Sequence, residues 1–254
     1  MNLELEGRRA IVTGGSRGIG LAVARALAVE GARVALVARG AEALDEAAHA
    51  LSALASATGS PVAASGAERD PHVIAVSADT GSDDSVAAMV SRVVDEFGGV
   101  DILVNAAATP NTGGFGEDAL EAEFNVKVRG YLRCARAVAP HMTASGWGRI
   151  VNVSGLAARQ TGSVVGSVRN VAVAALTKNL ADELGPAGIN VTVVHQGPTV
   201  TERPPPAVTV PSIGRYVTAA EVADVIAFLC SPRSVAINGD AIAVGGGAPG
   251  VIHY

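Results

Sequence analysis

The stretch Ile11-Val12-Thr13-Gly14-Gly15-Ser16-Arg17-Gly18-Ile19-Gly20 constrains the fold of this chain more than any other. An apolar run from Ala10 to Val12 reads as a short buried strand. The glycines then make a turn, and Ile19 to Ala24 opens a helical pattern. Strand, glycine turn and helix start in that order form an anion site. The first amides of a helix have no partner within it, and its dipole favours negative charge there. Glycines also let a phosphate come close to backbone that a side chain would shield. The spacing is Gly-x3-Gly-x-Gly, not the commoner Gly-x-Gly-x-x-Gly of dinucleotide sites, and a glycine turn also occurs with no ligand at all. The rest of the chain supports the ligand-binding reading.

The chain alternates strand and helix with little interruption. The first helix is expected to run to about Glu30 and end at Gly31. Arg33–Val37 reads as a second strand, Ala41–Ala55 as a helix, and Thr58–Pro71 as a loop of small residues. His72–Ser77 is a third strand, Asp83–Phe97 a helix and Asp101–Asn105 a fourth strand. A long helix follows over Leu120–Ala144. Arg149–Val153 is strand five, Val165–Leu184 a helix and Ile189–Val194 strand six. Ala219–Leu229 is the last helix, and Ala241–Val244 a final short strand. Strands that are apolar throughout, with no alternation, predict a parallel sheet covered by helices on both faces. With no repeat and no linker, residues 1–254 read as a single doubly wound α/β domain.

Composition narrows the function classes. Hydrophobic residues make up 49% of the 254, enough for a large core, yet no apolar run reaches the length of a membrane span. The segment Met1–Arg9 is charged and lacks a signal core, which predicts a cytoplasmic protein. Cys134 and Cys230 fall in apolar helical patterns and read as reduced, buried thiols. A net charge of −5 with no basic block argues against nucleic acid as a partner. No metal-ligand cluster stands out.

Several motifs in register carry a family resemblance: Thr13-Gly14-x3-Gly18-Ile19-Gly20, Asp79, Asn105-Ala106-Ala107-Ala108, Asn152-Val153-Ser154 and Gly197-x3-Thr201. Over about Glu6 to Gly247 the chain resembles the short-chain dehydrogenase/reductase family. The resemblance implies a Rossmann domain with a seven-stranded parallel sheet and a nicotinamide cofactor across the strand tips. It also implies a small-molecule substrate, and a homodimer or homotetramer built on the two long helices.

In such sites an acid about twenty residues past the glycines holds the ribose of NAD, whereas an arginine accepts the phosphate of NADP. Here Ala38-Arg39 ends strand two and Arg17 lies in the turn. Two guanidinium groups favour NADP(H), with NAD(H) the lesser alternative. A solvated Arg39 is the plain alternative. By family position, Gly14, Ser16, Gly18 and Ile19 border the pyrophosphate, Asp79 and Thr80 the adenine, and Asn105 and Ala107 the ribose. Thr201 borders the nicotinamide end, and Gly197 is a further cofactor-binding position of the motif. Asp79-Thr80 also fits a helix cap, and Asn105 a tie between loops.

The catalytic positions depart from the family. Its tyrosine, a phenol with a reference pKa of ~10, transfers the proton with help from a lysine four residues on. Aligned on Ala172–Lys178, the tyrosine slot is Gly166 and the lysine slot Asn170. The family's asparagine on the preceding helix is Lys127, and Gln196 replaces the usual proline before Gly197. The serine position falls on Ser154-Gly155. Lysine and asparagine therefore look exchanged between two helices, which makes Ser154, Lys127 and Asn170 the candidate catalytic residues. Drift is the plain alternative, with Lys127 in solvent or paired with Glu121 or Glu123. Tyr131, four residues from Lys127, is a candidate replacement phenol. Gly166 is expected to leave a gap, collapsed or filled by a ligand or by Arg169. His195 and His253 fit packing and tail roles. After Thr201 the segment Glu202–Val217 has a proline cluster, Pro204–Pro206, and no helical pattern.

Two functions fit these residues. One is an NADP(H)-dependent oxidoreductase on a carbonyl or alcohol with a rebuilt proton path. The other is a redox-inactive relative that uses the dinucleotide structurally or as a sensed ligand, or runs a non-redox step in the emptied pocket.

Overall fold

The computed structural model describes residues 1–57, 72–109, 117–202 and 210–249. The Thr58–Pro71 loop, the Pro204–Pro206 cluster and His253 lie outside the described residues. The main sheet contains β1 (Arg9–Thr13), β2 (Arg33–Ala38), β3 (Val73–Ser77), β4 (Ile102–Asn105), β5 (Gly148–Gly155), β6 (Ile189–Gln196) and β9 (Ala241–Val244). Its order is β3-β2-β1-β4-β5-β6-β9, with every neighbouring pair parallel. This is the doubly wound fold of seven parallel strands that the apolar runs predict.

Alternate residues of each strand feed opposite cores. Ala10 and Val12 pack with Val23 and Leu27 of α1 (Gly18–Val29) and with Ile226 of α7 (Ala219–Leu229). Ile11 packs on the other face with Met89 of α3 (Asp83–Phe97) and Val138 of α5 (Gly130–Ser145). Strands buried on both faces have no polar side, which explains the absence of alternation in their sequence. The chain runs outward from β1 to β2 and β3, then returns to β4 on the other side. The strand tips diverge at that reversal, where open α/β sheets form their crevice.

The structure differs from the sequence expectation in two places. The long helix expected over Leu120–Ala144 is α4 (Glu117–Glu123), a π-helical turn (Phe124–Arg129) and then α5. The Gly130 amide donates to the Asn125 carbonyl, five residues back, which admits one residue more than an α-turn holds. Periodicity does not reveal such an insertion, because the apolar stripe resumes after it. The other difference is a two-stranded pairing of β7 (Thr199–Val200) with β8 (Val217–Thr218), too short to leave a pattern.

β1 and β4 are locked at their starts by Asp101. Its carboxylate accepts from Arg9 Nε (2.8 Å), Arg9 Nη2 (2.7 Å) and the Arg9 amide (2.9 Å). Asp101→Ala is expected to lower unfolding stability by about 2–3 kcal/mol, below the cost for a fully buried pair because Arg9 is 25% exposed. The urea midpoint at constant m measures this.

Candidate active site

The site begins at the turn after β1. Gly14 has φ +70°, and a Cβ there would lie 2.8 Å from the Ala106 carbonyl oxygen. A Cβ at Gly20 would lie 2.2 Å from the Gly14 oxygen. These two glycines let the turn, the tip of β4 and the start of α1 touch backbone to backbone. Thr13 completes the joint, since its Oγ1 accepts from the Ala106 and Ala107 amides at 3.1 and 3.2 Å. Sequence reading gave Thr13 no role, and only the tertiary pairing of β1 with β4 brings it under that loop.

α1 starts without a side-chain cap, unlike α3, α7 and α6 (Val164–Leu184), which are capped by Ser82, Thr218 and Ser163. Its Gly18 amide donates instead to both carboxylate oxygens of Glu202, at 3.2 and 3.1 Å. The turn already holds an anionic group. Sequence reading missed Glu202 because this contact spans most of the chain.

Twelve of the residues singled out by sequence line one cleft of about 640 Å³ at the strand tips: Gly14, Ser16, Arg17, Gly18, Ile19, Arg39, Asp79, Thr80, Ala107, Lys127, Ser154 and Thr201. Arg17 and Arg39 are exposed and form no ion pair among the described residues. Asp79 lines the cleft and does not cap α3, which Ser82 caps; its Oδ1 accepts from the Gly81 amide in the turn before that helix at 2.8 Å.

Asn105, Asn170 and Gly197 do not line the cleft. Asn105 is fully buried and donates to Asn152 Oδ1 (3.0 Å), whose own Nδ2 donates to Thr177 Oγ1 (2.9 Å). These bonds tie β4 to β5 and α6, a structural role between elements where a tie between loops was expected. Gly197 permits close backbone approach, since a Cβ there would lie 2.8 Å from Gly245 Cα. Gln196, unlike a proline, continues β6 in register with Val244, and its Oε1 accepts from Thr199 Oγ1 at 2.8 Å.

Ser154 and Asn170 meet directly behind the cleft wall. Ser154 Oγ donates to Asn170 Oδ1 at 3.0 Å, and both residues are buried. Lys127 approaches from the π-helical turn and lines the cleft at 6% exposure. It neither faces solvent nor pairs with the acids expected for it. Glu121 pairs with Arg129 at 3.0 Å, and Glu123 pairs with Arg169 of α6. Burial, then the nearby Arg169 charge, lower the Lys127 pKa to about 7, against a smaller opposing effect of Glu123.

Two expectations are corrected. Tyr131 does not face the cleft. The π-helical turn changes the angle between positions 127 and 131, and the buried Tyr131 hydroxyl donates to the Val153 carbonyl at 2.9 Å. Burial raises its pKa further from neutrality. Gly166 does not line the cleft, and a Cβ there would lie 2.9 Å from Ser163 Oγ, which caps α6 by accepting from the Gly166 amide. Arg169 turns to Glu123 and does not fill that position. His195 is buried within β6, and both cysteines are free and buried.

The strand order and the cleft at its reversal define the Rossmann class. A sequence profile of short chain dehydrogenases matches residues 8–207, and the chain belongs to that family. It is 32% identical over 259 residues to the short-chain reductase protein NovJ of Streptomyces niveus, covering 94% of this chain and 93% of that protein. L-sorbose reductase from Gluconobacter frateurii, solved with NADPH and L-sorbose, has a TM-score of 0.86 at 28% identity, over 99% of this chain and all of that one. A short chain dehydrogenase from Burkholderia cenocepacia, solved with NADP, has a TM-score of 0.80 at 35% identity, over 96% and 98%.

The buried lysine has a measurable cost. In the unfolded chain it holds its proton to about pH 10.5, but in the folded chain only to about 7. Stability from this group therefore rises as pH climbs through that window, and the burial cost is full below it. Lys127→Met is expected to exceed the parent in stability by ~1–4 kcal/mol at about pH 6, with the margin shrinking toward pH 10. Urea melts across that range check both sign and window.

Proposed function

We propose that this chain is an NADP(H)-dependent oxidoreductase acting on a small-molecule carbonyl or alcohol, with a proton path that uses Lys127 in place of a tyrosine. The observation that carries the reading is Lys127 itself, a titratable cation on the wall of the same cleft as Ser154. The uncapped start of α1, with a carboxylate already on the Gly18 amide, supports dinucleotide binding in the glycine turn. Gly14, Ser16, Gly18 and Ile19 would border the pyrophosphate. Arg17 and Arg39 would hold the ribose phosphate, Asp79 and Thr80 the adenine end, Ala107 the ribose, and Thr201 the nicotinamide end. When bound, the nicotinamide supplies or accepts a hydride.

The remaining chemistry falls to the chain. An amine that gains and loses its proton near pH 7 can give one to a carbonyl oxygen, or take one from an alcohol, without extreme cost in either state. Asn170 draws the Ser154 hydrogen to its Oδ1, so the hydroxyl oxygen is oriented to accept. Burial of both residues keeps competing water away from the exchange. We also infer a homodimer or homotetramer. Val164, Val168 and Val171 form an exposed apolar stripe along α6 at helical spacing, which supports pairing through the long helices.

Titration with NADPH and NADH, followed by nicotinamide fluorescence, tests the cofactor. Arg39→Ala is expected to weaken NADPH about 10–100-fold and leave NADH nearly unchanged. Glu202→Gln removes the competing charge from α1 and is expected to tighten both nucleotides by a few fold, roughly what a helix-end charge contributes. In a carbonyl panel, Lys127→Met is expected to lower turnover by ~10²–10⁴ while NADPH still binds. Absence of binding to either nucleotide would overturn the proposal. Binding without turnover by the parent would favour the redox-inactive reading.

A further inference from the structure

The buried carboxylate one helical turn before Lys127 is held by a third residue. Glu123 lies one turn earlier on the same helical run, with its side chain 4% exposed, and it is bound by Arg169 from α6. Arg169 is itself largely buried, and its guanidinium cannot give up its charge. Lys127 has no hydrogen-bond partner among the described residues. Two cations thus share one acid, and Arg169 has taken it. Its fork geometry and lower hydration make it the stronger carboxylate partner.

We propose that Arg169 is a positioning residue: by binding Glu123 it withholds that carboxylate from Lys127 and leaves the lysine to exchange its proton with a ligand in the cleft. The inference rests on the proposed role of Lys127 and names the group that makes this role possible. Arg169 acts in two ways, removing an anion from the lysine and adding a second positive charge beside it. Both act in the same direction as burial. The other groups facing Lys127 leave this balance to the pair. Tyr131 is neutral and turned to β5, Ser154 contributes only a hydroxyl, and Thr80 is uncharged. Arg17, Arg39 and Asp79 also line the cleft, but all three are solvent-exposed and screened.

The chain has two lysines, Lys127 and Lys178, so its lysine side chains can be followed individually. We would titrate the full-length protein labelled with ¹³C at lysine Cε, assigning Lys127 by loss of the other signal in Lys178→Arg. The parent midpoint for Lys127 is expected near 7. In Arg169→Gln, Glu123 is released to Lys127, and the midpoint is expected to rise by about one pH unit or more, a tenfold gain in proton affinity. Glu123→Gln is expected to move it the other way, by up to about one unit. Arg169→Lys retains a cation for Glu123 and is expected to keep the midpoint near that of the parent. General loosening of the structure would move both neutral variants in the same direction, toward the value of a solvated lysine. Opposite shifts support the proposal. An unchanged midpoint in Arg169→Gln, or shifts of the same sign, overturns it. If Arg169→Gln does not fold, Glu123→Gln and Arg169→Lys decide alone, and a rise in Glu123→Gln overturns the inference. The readout needs no turnover. Loss of the oxidoreductase reading would show as an inactive parent with the midpoints still displaced. Failure of the present inference would show as static midpoints in an enzyme that still depends on Lys127.

Discussion

The cleft depends on a backbone contact that excludes side chains. Gly14 meets the carbonyl of Ala106, and Gly20 meets Gly14, at separations where a Cβ would come within 2.8 and 2.2 Å of an oxygen. These contacts fix the tip of β1 to the loop after β4 and to the first turn of α1. Thr13 Oγ1 then takes the amides of Ala106 and Ala107, so the same joint is held by hydrogen bonds as well as by contact. Widening it by one methyl would separate three elements at once, because interiors at crystal-like density cannot relax around an added atom. The anion-accepting amide at Gly18 is a consequence of this joint. The N-cap position of α1 is Arg17, whose side chain has no acceptor, so the first amides of the helix are left to another group.

Behind the cleft, polar groups form two networks of different character. Asn105, Asn152 and Thr177 make a neutral chain that spans β4, β5 and α6, with no surface presented to the cleft. Such a chain fixes the spacing of the strands and of the helix behind them. The second network is charged and lies between α4 and α6, where Glu123 and Arg169 join the helices beside Lys127. Because the π-helical turn falls between Glu123 and Gly130, it carries Lys127 toward the cleft and Tyr131 toward β5. One inserted residue therefore decides which of two side chains is chemically available.

How much of this could be read from the sequence follows from the range of the interactions. Strands β1 to β6 and their helices were legible because burial on both faces writes a continuous apolar run, and because Gly31, Gly98 and Gly146 stop helices where a positive φ is needed. The residues of the glycine turn and Ser154 were legible through spacing within short motifs. The π-helical turn was not, since it preserves the stripe on either side. Glu202 and Arg169 were not, since their partners Gly18 and Glu123 are distant in sequence and each reads locally as a solvated charge. Asn105 was read in both of its roles. Its burial and its bond to Asn152 fit the structural one.

On the proposed reading, lysine and asparagine have exchanged places between the two helices. In the lysine slot, Asn170 is short enough to remain behind the wall, where its Oδ1 takes the Ser154 hydrogen. A long cation there would compete with Lys127 for the same low-dielectric volume, and two ammonium groups so placed would each lose charge. Gly166 belongs to this arrangement through α6 rather than through an empty pocket. Its amide is the one that Ser163 caps, and its Cβ direction ends on the Ser163 hydroxyl at 2.9 Å. A side chain at 166 therefore requires that hydroxyl to shift, as the capping box of Thr218 and Glu221 accommodates one at the start of α7.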